Sequence, residues 1–288
     1  MSRESINDFG PREKMKNGIN KTFKLGQAML DVHCFGSGDP LVLMHGADGL
    51  LFCEPFLDAL SARHEVLVPC HPGWHGSSRP SHVKTVRDIA ELHCEFMESL
   101  RGPVPIVGLS FGAWVAAETA LLARDMVSIL CLISPVGIHV GNRETRNFVD
   151  LFAIAVEDRR KVLYSDTTHA PRLGEVQSDS VFFELAKAEE AFARFAWQPY
   201  LHDPKLVHRL RRISASTLII SGEKDAFVLA DGYYRQYAEA IGDNARHMKI
   251  PGAGHRIEEE QAGELAAHIH RFIAEESTKV VPARRMRG

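Results

Sequence analysis

One short segment restricts the fold more than any other part of the chain: residues 103–124, PVPIVGLSFGAWVAAETALLAR. It begins with small and β-branched apolar residues, narrows to Gly108-Leu109-Ser110-Phe111-Gly112, and continues as an alanine-rich amphipathic pattern. The pattern predicts a buried strand over 104–107 that passes directly into a helix over 111–123. So abrupt a junction strains the backbone of Ser110 at its apex and requires small residues two positions before and after it. The serine is either incidental to a tight turn or the residue that the turn exists to expose.

Strand-like and helix-like patterns alternate on both sides of this junction. Continuous apolar runs such as Leu41-Val42-Leu43-Met44 are typical of strands that are buried on both faces of a sheet. Their alternation with amphipathic patterns predicts an α/β fold, in which a parallel sheet carries helices on both faces. The predicted strands are 22–25, 29–35, 41–44, 66–69, 104–107, 126–133, 216–220 and 247–250. The predicted helices are about 52–62, 85–101, 111–123, 231–241 and 262–275.

The alternation stops between residues 136 and 212. This stretch has helical patterns, such as that of residues 181–195, and no convincing buried strand. We therefore predict one α/β core, residues 22–135 and 213–276, with a helical insertion at 136–212. A polar N-terminal tail (1–21) and a basic C-terminal tail (277–288) complete the predicted division of the chain.

The composition is that of a globular protein that is soluble in water. Of the 288 residues, 45% are hydrophobic and 25% are charged. A formal charge of −3 gives no support to binding of nucleic acid or of an anionic membrane surface, and no run of 18 apolar residues predicts a membrane span. The five cysteines are scattered and odd in number, and the polar N-terminus does not resemble a secretory signal. We therefore expect a cytoplasmic protein with reduced cysteines.

A serine hydroxyl needs a base to become a nucleophile, and the base needs an acid to orient it. Among 15 histidines, His255 is distinguished by its position. It follows the last predicted strand in a glycine-rich turn, at the sheet edge where ligands bind in open α/β folds. Asp225 follows the preceding strand and belongs to the same edge, while Glu223 competes for the acid role from two residues nearer the strand end. Asp225 is favoured over Glu223 because it has the longer reach, so the candidate catalytic residues are Ser110, Asp225 and His255.

Two backbone N–H groups are candidates for holding the negative charge that develops on a substrate oxygen. The N–H of Phe111 lies at the N-terminus of a predicted helix, and that of Ala47 lies in a flexible loop after a buried strand. His45, in the same loop, is expected to form structural hydrogen bonds. The carboxylate of Asp48 would oppose an oxyanion, so we expect it to turn away and cap the next helix or the loop.

The histidines predict no metal site. His71 and His75 are separated by Pro72-Gly73 and therefore lie in a loop. His268 and His270 lie two residues apart on a predicted helix, which points them in different directions. We expect neither a metal nor an organic cofactor.

The motifs, taken in order, closely resemble those of the α/β-hydrolase superfamily. They are His45-Gly46, then the glycine–serine junction at 108–112, then Gly222-Glu223-Lys224-Asp225, then Gly252-Ala253-Gly254-His255. The loop at residues 71–78 looks like that family's loop after its fourth strand, and the resemblance spans about residues 22–275. It implies an eight-stranded, mostly parallel sheet with a helical cap after the sixth strand, where residues 136–212 fall.

The resemblance also suggests residues for the substrate pocket. Related carbon–carbon bond hydrolases of this fold carry an arginine and a tryptophan of the cap near the substrate. Arg194 and Trp197 therefore join Asp48 as candidate pocket residues. The alternative interpretation is that Arg194 is exposed and that Trp197 only packs within the insertion.

The serine and the resemblance together predict acyl transfer to water. Haloalkane dehalogenases and epoxide hydrolases of this fold resemble one another in placing Asp where this chain has Ser110, which argues against both classes. We predict a serine hydrolase that cleaves a carboxylic ester, lactone or thioester of a small, largely apolar substrate through an acyl-enzyme. Two alternatives stay open: a hydrolase of carbon–carbon bonds in β-diketones or meta-cleavage products, and a non-catalytic ligand-binding protein. The expected partner is a small molecule, with a homodimer left open.

Overall fold

A computed structural model describes residues 18–171 and 178–280, which are built around one eight-stranded sheet. The strands are β1 (Gly18–Leu25), β2 (Ala28–Phe35), β3 (Pro40–Met44), β4 (Glu65–Pro69), β5 (Val104–Leu109), β6 (Val127–Ile133), β7 (Ser216–Gly222) and β8 (Ala245–Ile250). They lie side by side in the order β1-β2-β4-β3-β5-β6-β7-β8. Strands β3 to β8 are parallel, and β2 is antiparallel to both of its neighbours. The prediction of an α/β fold with an eight-stranded, mostly parallel sheet is confirmed.

Helices cover both faces of the sheet. They are α1 (Glu54–Ser61), α2 (Val86–Glu98), α3 (Phe111–Leu122), α4 (Val156–Leu163), α5 (Asp179–Ala196), α6 (Leu206–Arg209), α7 (Tyr233–Ile241), α8 (Ile257–Glu260) and α9 (Ala262–Val280). One face of the sheet packs against α2, α3 and α7, and the other packs against α1 and α9. Helix α3 is apolar on all sides and almost wholly buried, as expected of a helix enclosed by other elements.

Both ends of the predicted core differ from the structure. Strand β1 begins at Gly18, inside the predicted tail 1–21, because all eight of its residues pair with β2 although few of them are apolar. Helix α9 continues to Val280, beyond the predicted end of the core at 276, and Lys279 pairs with Glu276 one turn earlier. Hydrogen bonding and surface charge pairs extend both elements past the apolar pattern. The rest of the predicted tails, 1–17 and 281–288, lies outside the described residues.

The segment between β6 and β7, residues 134–215, is called here the β6–β7 insertion. Its described part, 134–171 and 178–215, contains helices α4, α5 and α6 and no strand. Helix α5 buries Ala191, Phe192 and Phe195 in the same apolar cluster as α3, and the ring of Phe192 meets that of Phe111 edge-on at 5.5 Å between centroids. This contact brings α5 close to the residue that follows Ser110. The division of the chain at 136 and 212 stays a prediction.

Candidate active site

The junction between β5 and α3 has the strained geometry that its sequence indicates. Ser110 has φ 49° and ψ −107°, in a region that residues other than glycine rarely adopt, and its N–H donates to the Ile133 carbonyl at 2.8 Å. A Cβ atom on Gly112 would collide with the carbonyl oxygens of Met44 and His45, and one on Gly108 would lie 2.6 Å from Ala113 Cα. Both glycines are therefore needed for the backbone to turn here.

Three side chains from three strand ends form one hydrogen-bonded chain. Ser110 Oγ lies 2.8 Å from His255 Nε2, and His255 Nδ1 lies 2.8 Å from Asp225 Oδ2. The side chains of His255 and Asp225 are almost fully buried. A neutral imidazole that donates from Nδ1 to Asp225 leaves Nε2 free to accept the proton of Ser110. The structure thus brings the three predicted residues together.

The carboxylate of Asp225 is held by more than His255. Its Oδ1 accepts the N–H groups of Phe227 at 3.0 Å and Val228 at 3.2 Å, and its Oδ2 also accepts the hydroxyl of Tyr234 at 2.5 Å. Burial acts to raise the pKa of Asp225, but the charge of His255 and these hydrogen bonds outweigh it and lower the pKa. Asp225 is therefore stabilised as an anion.

The alternative acid lies elsewhere. Glu223 is exposed, and its Oε2 accepts the N–H of Gly252 at 3.0 Å. The structure places Asp225, not Glu223, beside His255. Tyr234 was missed by sequence reasoning, because nothing in the run Tyr233-Tyr234 indicates which hydroxyl reaches Asp225.

One candidate oxyanion donor follows Ser110 in the chain, and the other lines the same cavity as Ser110. Phe111 is the first residue of α3, and Ala47 lies in the wall of the cavity that contains Ser110. Within the described part of the chain, neither N–H donates a hydrogen bond to the protein. The carbonyl of Ala47 accepts the indole N–H of Trp74 at 2.7 Å, which fixes the loop in place. An N–H at a helix N-terminus and a second one nearby are suited to hold an oxyanion.

The sequence led us to expect that Asp48 turns away from the oxyanion and caps the next helix or the loop. In the structure its carboxylate does not cap the next helix, α1. Cys53 occupies the N-cap of α1, without a side-chain hydrogen bond to the helix. Asp48 instead lines the cavity, where its Oδ2 lies 2.9 Å from Nη2 of Arg256, the residue after His255. The reason is a tertiary contact: a buried guanidinium offers the carboxylate a stronger partner than a helix end does.

Arg256 is the centre of a charge cluster that sequence reasoning did not find. Its buried guanidinium pairs with Glu259, lies 3.2 Å from Glu258 Oε1, and contacts Asp48. The hydroxyl of Tyr164 donates to Glu259 at 2.6 Å. Burial raises the pKa of Glu259 to about 7, against the opposing charge of Arg256. The run Arg256-Ile257-Glu258-Glu259-Glu260 in the sequence was the available signal, but such a run also fits a solvated surface.

A cavity of about 480 Å³ opens over Ser110 and His255. Its wall is mainly apolar, and its aromatic lining residues are Phe52, Phe152, Tyr164, Phe192 and Phe227. Helices α4 and α5 of the β6–β7 insertion supply part of the wall, including the charged side chains of Arg159 and Arg160. The volume suits a small-molecule ligand.

Two predicted pocket residues lie outside this wall. Arg194 is exposed and pairs with Glu190 on the same helix. Trp197 is 56% exposed and packs edge-on against Phe152, with 5.6 Å between ring centroids. Neither residue is among those that line the cavity. The side chains of α5 that do face it are Leu185, Glu189 and Phe192, which share one helical face.

Comparison with known proteins assigns the chain to a family. The profile of the "Alpha/beta hydrolase family" matches residues 41–268. The chain belongs to the alpha/beta hydrolase family. A probable 1-acylglycerol-3-phosphate O-acyltransferase of Oryza sativa subsp. japonica is 33% identical in an alignment 123 residues long that covers 39% of this chain and 29% of that protein. The match thus spans less than a third of the rice protein's length.

Solved structures resemble this alpha/beta hydrolase over most of its length. A membrane phospholipase A, described as a bacterial virulence factor, has a TM-score of 0.74 and 21% identity over 91% of this chain and 87% of its own. The meta-cleavage product hydrolase CumD of Pseudomonas fluorescens IP01 has a TM-score of 0.70 and 20% identity over 88% of this chain and 97% of its own. At such identities the likeness concerns the fold.

Among the described residues of this alpha/beta hydrolase, no helix combines the length and the apolar character needed to cross a bilayer.

Proposed function

We propose that this alpha/beta hydrolase cleaves a carboxylic ester, lactone or thioester of a small, largely apolar substrate through an acyl-enzyme on Ser110. The observation that carries the proposal is the chain of two 2.8 Å hydrogen bonds from Ser110 Oγ through His255 to Asp225. A nucleophile, a base and an orienting acid in this arrangement are what acyl transfer requires.

The first half-reaction follows from these contacts. His255 Nε2 takes the proton of Ser110 as Oγ attacks the carbonyl carbon of the substrate, and Asp225 stabilises the resulting imidazolium. The substrate oxygen becomes an oxyanion that accepts the N–H groups of Phe111 and Ala47. One such donor typically contributes about 3 kcal/mol to transition-state stabilisation.

The second half-reaction restores the enzyme. The tetrahedral intermediate expels the alcohol, which receives the proton from His255, and the acyl group stays on Oγ. His255 then takes a proton from water as the water oxygen attacks the acyl carbon. Release of the acid returns the proton to Ser110, so that no cofactor takes part.

The lining of the cavity supports the proposal that the substrate is small and largely apolar. Apolar and aromatic side chains line most of it, and the β6–β7 insertion supplies several of them, such as Phe152 and Phe192. We infer that the insertion acts as a cap that shields the acyl-enzyme from bulk water.

The test is turnover of short-chain p-nitrophenyl esters by the wild type and by Ser110→Ala. We expect hydrolysis by the wild type, and a fall to background in Ser110→Ala. Ser81→Ala, which changes an exposed serine, is the matched control and keeps full activity. Intact mass spectrometry then locates the acyl adduct on Ser110. Equal rates for the wild type and Ser110→Ala would refute the proposal. They are the result expected of a non-catalytic ligand-binding protein.

A second candidate, hydrolysis of a carbon–carbon bond in a dienone or β-diketone acid, is favoured by one observation. Arg159 and Arg160 both line the cavity. Arg159 forms a salt bridge to Glu189 at 2.7 Å, whereas Arg160 has no carboxylate partner among the described residues and donates from Nη2 to the carbonyls of Thr167, at 2.8 Å, and Ala170, at 3.4 Å. The cationic side chain of Arg160 is suited to a substrate that carries a carboxylate. Turnover of a dienone acid without turnover of simple esters would favour this second function.

A further inference from the structure

The peptide bond between Gly46 and Ala47 is held in one orientation. The carbonyl oxygen of Gly46 accepts hydrogen bonds from His45 Nδ1, at 2.8 Å, and from the N–H of Gly49, at 3.1 Å. In a trans peptide the C=O and N–H groups point in opposite directions. With its carbonyl directed at the buried ring of His45, this peptide turns the Ala47 N–H away from that ring, and Ala47 itself lines the cavity.

The hydrogen bonds around His45 determine which of its nitrogens carries the proton. Nε2 of His45 accepts the backbone N–H of His71 at 2.9 Å, so the ring proton lies on Nδ1 and is donated to Gly46. Nε2 of His71 lies 3.1 Å from the carbonyl oxygen of His45 and donates to it. Nδ1 of His71 is therefore an acceptor, and Nε2 of His93 donates to it at 2.7 Å.

All three rings are neutral, which makes this pattern permanent at neutral pH. His45, His71 and His93 have no exposed surface. Burial lowers the pKa of each imidazole, and for His93 to about 3. A proton added to His45 Nε2 or His71 Nδ1 would replace an acceptor with a donor and break the chain. The described residues contain no group of three or more His, Cys, Asp or Glu side chains that could hold a metal ion.

The same cluster touches the second candidate donor. The ring of Phe111 meets the ring of His71 edge-on at 5.8 Å and stacks on Trp74 at 5.7 Å between centroids. The backbone N–H of Trp74 donates to the carbonyl of His71 at 2.9 Å, and its indole N–H donates to Ala47. One packed unit thus supports both residues whose N–H groups are the proposed oxyanion donors.

We propose that His93, His71 and His45 form a relay of positioning residues that orients the Ala47 N–H for the oxyanion. The relay rests on the proposed function, and it is not catalytic because none of its members touches Ser110 or the reacting atoms. Without the donor from His45, only the N–H of Gly49 still holds the Gly46 carbonyl, and a rotated peptide would present that carbonyl to the oxyanion and repel it.

The test uses His93, the member farthest along the relay from the cavity, in two variants. His93→Leu removes the donor to His71, whereas the amide of His93→Gln can place an N–H near the position of Nε2. We expect His93→Leu to lower kcat for a p-nitrophenyl ester at least about tenfold with KM little changed, because loss of an oxyanion donor costs about 10²–10³ in kcat. Its affinity for phenylboronic acid, a tetrahedral mimic formed on Ser110, should fall by a similar factor.

His93→Gln should stay within about threefold of the wild type in kcat and in boronate affinity, because it keeps the donor. Rates are normalised to active sites titrated with a fluorophosphonate, so that a loss of folded protein does not imitate the effect. The inference is overturned if His93→Leu keeps wild-type kcat and boronate affinity, or if His93→Leu and His93→Gln lose both equally. If Ser110→Ala is inactive in the same assay while His93→Leu is unaffected, the relay alone is refuted.

Discussion

The carboxylate of Asp48 and the guanidinium of Arg256 form a salt bridge, with 2.9 Å between Asp48 Oδ2 and Arg256 Nη2. Asp48 follows Ala47, the proposed oxyanion donor, and Arg256 follows His255, the proposed base. A lone carboxylate beside a developing oxyanion would raise the energy of the transition state. The guanidinium offsets that charge, which explains how an acidic residue is tolerated at this position.

We expect Arg256→Gln to lower kcat/KM for an ester by about tenfold or more, because it exposes the oxyanion to an unpaired carboxylate and removes a partner of buried acids. Adding Asp48→Asn should restore part of the activity, although it repairs none of the other contacts of Arg256. The measurement is a double-mutant cycle in kcat/KM per titrated active site. Asp48→Asn by itself is the control. Purely additive losses in the double variant would show that charge neutralisation is not the role of Arg256.

Tyr234 is expected to support catalysis through Asp225. Tyr234→Phe removes the hydroxyl that donates to Asp225 Oδ2 at 2.5 Å, and hydrogen bonds to charged groups typically contribute about 1.5–3 kcal/mol. We expect kcat to fall by about tenfold with little change in KM. Tyr237→Phe is the matched control, because Tyr237 lies on the same helix and its buried hydroxyl has no hydrogen-bond partner among the described residues. Similar losses in the two variants would contradict a specific role for Tyr234.

Gly112 is expected to be irreplaceable even by alanine. A Cβ atom there would collide with two backbone carbonyl oxygens of the strand end at Met44 and His45, which cannot move as a flexible side chain would. We expect Gly112→Ala to reduce the free energy of unfolding by about 3 kcal/mol or more and to abolish ester turnover. Gly263→Ala, in α9, is the control, since nothing lies within 4 Å of the added methyl group. Chemical denaturation measures both variants, and the control should be neutral or stabilised by up to about 1 kcal/mol.

The buried histidines are expected to make the fold sensitive to acid. Burial lowers the pKa of His93 from 6.5 to about 3, so below pH 6.5 the unfolded chain binds a proton that the folded protein does not. The contribution of such a group to the free energy of unfolding is therefore fully present above pH 6.5. It falls by about 1.4 kcal/mol per pH unit as the pH drops toward 3. Between pH 6.5 and 4.5, His93→Gln should reduce the slope of the unfolding free energy against pH by the equivalent of one bound proton. His82→Gln, at an exposed site, should leave it unchanged.

The check on this prediction is urea denaturation at a series of pH values. The slope of the unfolding free energy against pH reports the difference in bound protons between the unfolded and folded states. A slope for His93→Gln equal to that of the wild type would mean that His93 also binds a proton in the folded protein, which would contradict the lowered pKa.

Much of the fold was readable from local patterns. The apolar runs of β3 to β7 and the amphipathic period of α2 fell close to their observed positions, because burial on a sheet or under a helix repeats at a fixed spacing along the chain. The ends of β1 and α9 were not readable, since the last residues of each are ordered by backbone pairing and surface charge pairs rather than by burial. Arg194 and Trp197 were assigned to the cavity from a resemblance, but the direction of each side chain is set by the packing of α5.

The sequence by itself determined the strand order in the chain, the strained turn at Ser110 with its two glycines, and the positions of Asp225 and His255 after later strands. Each of these depends on neighbours within a few residues, or on the rule that parallel strands end at one edge of a sheet. Only the tertiary structure decided that Asp48 meets Arg256, that Tyr234 reaches Asp225, and that His93 meets His71. Those contacts join elements that are distant in the chain, and they depend on angles between helices and strands that no local pattern encodes.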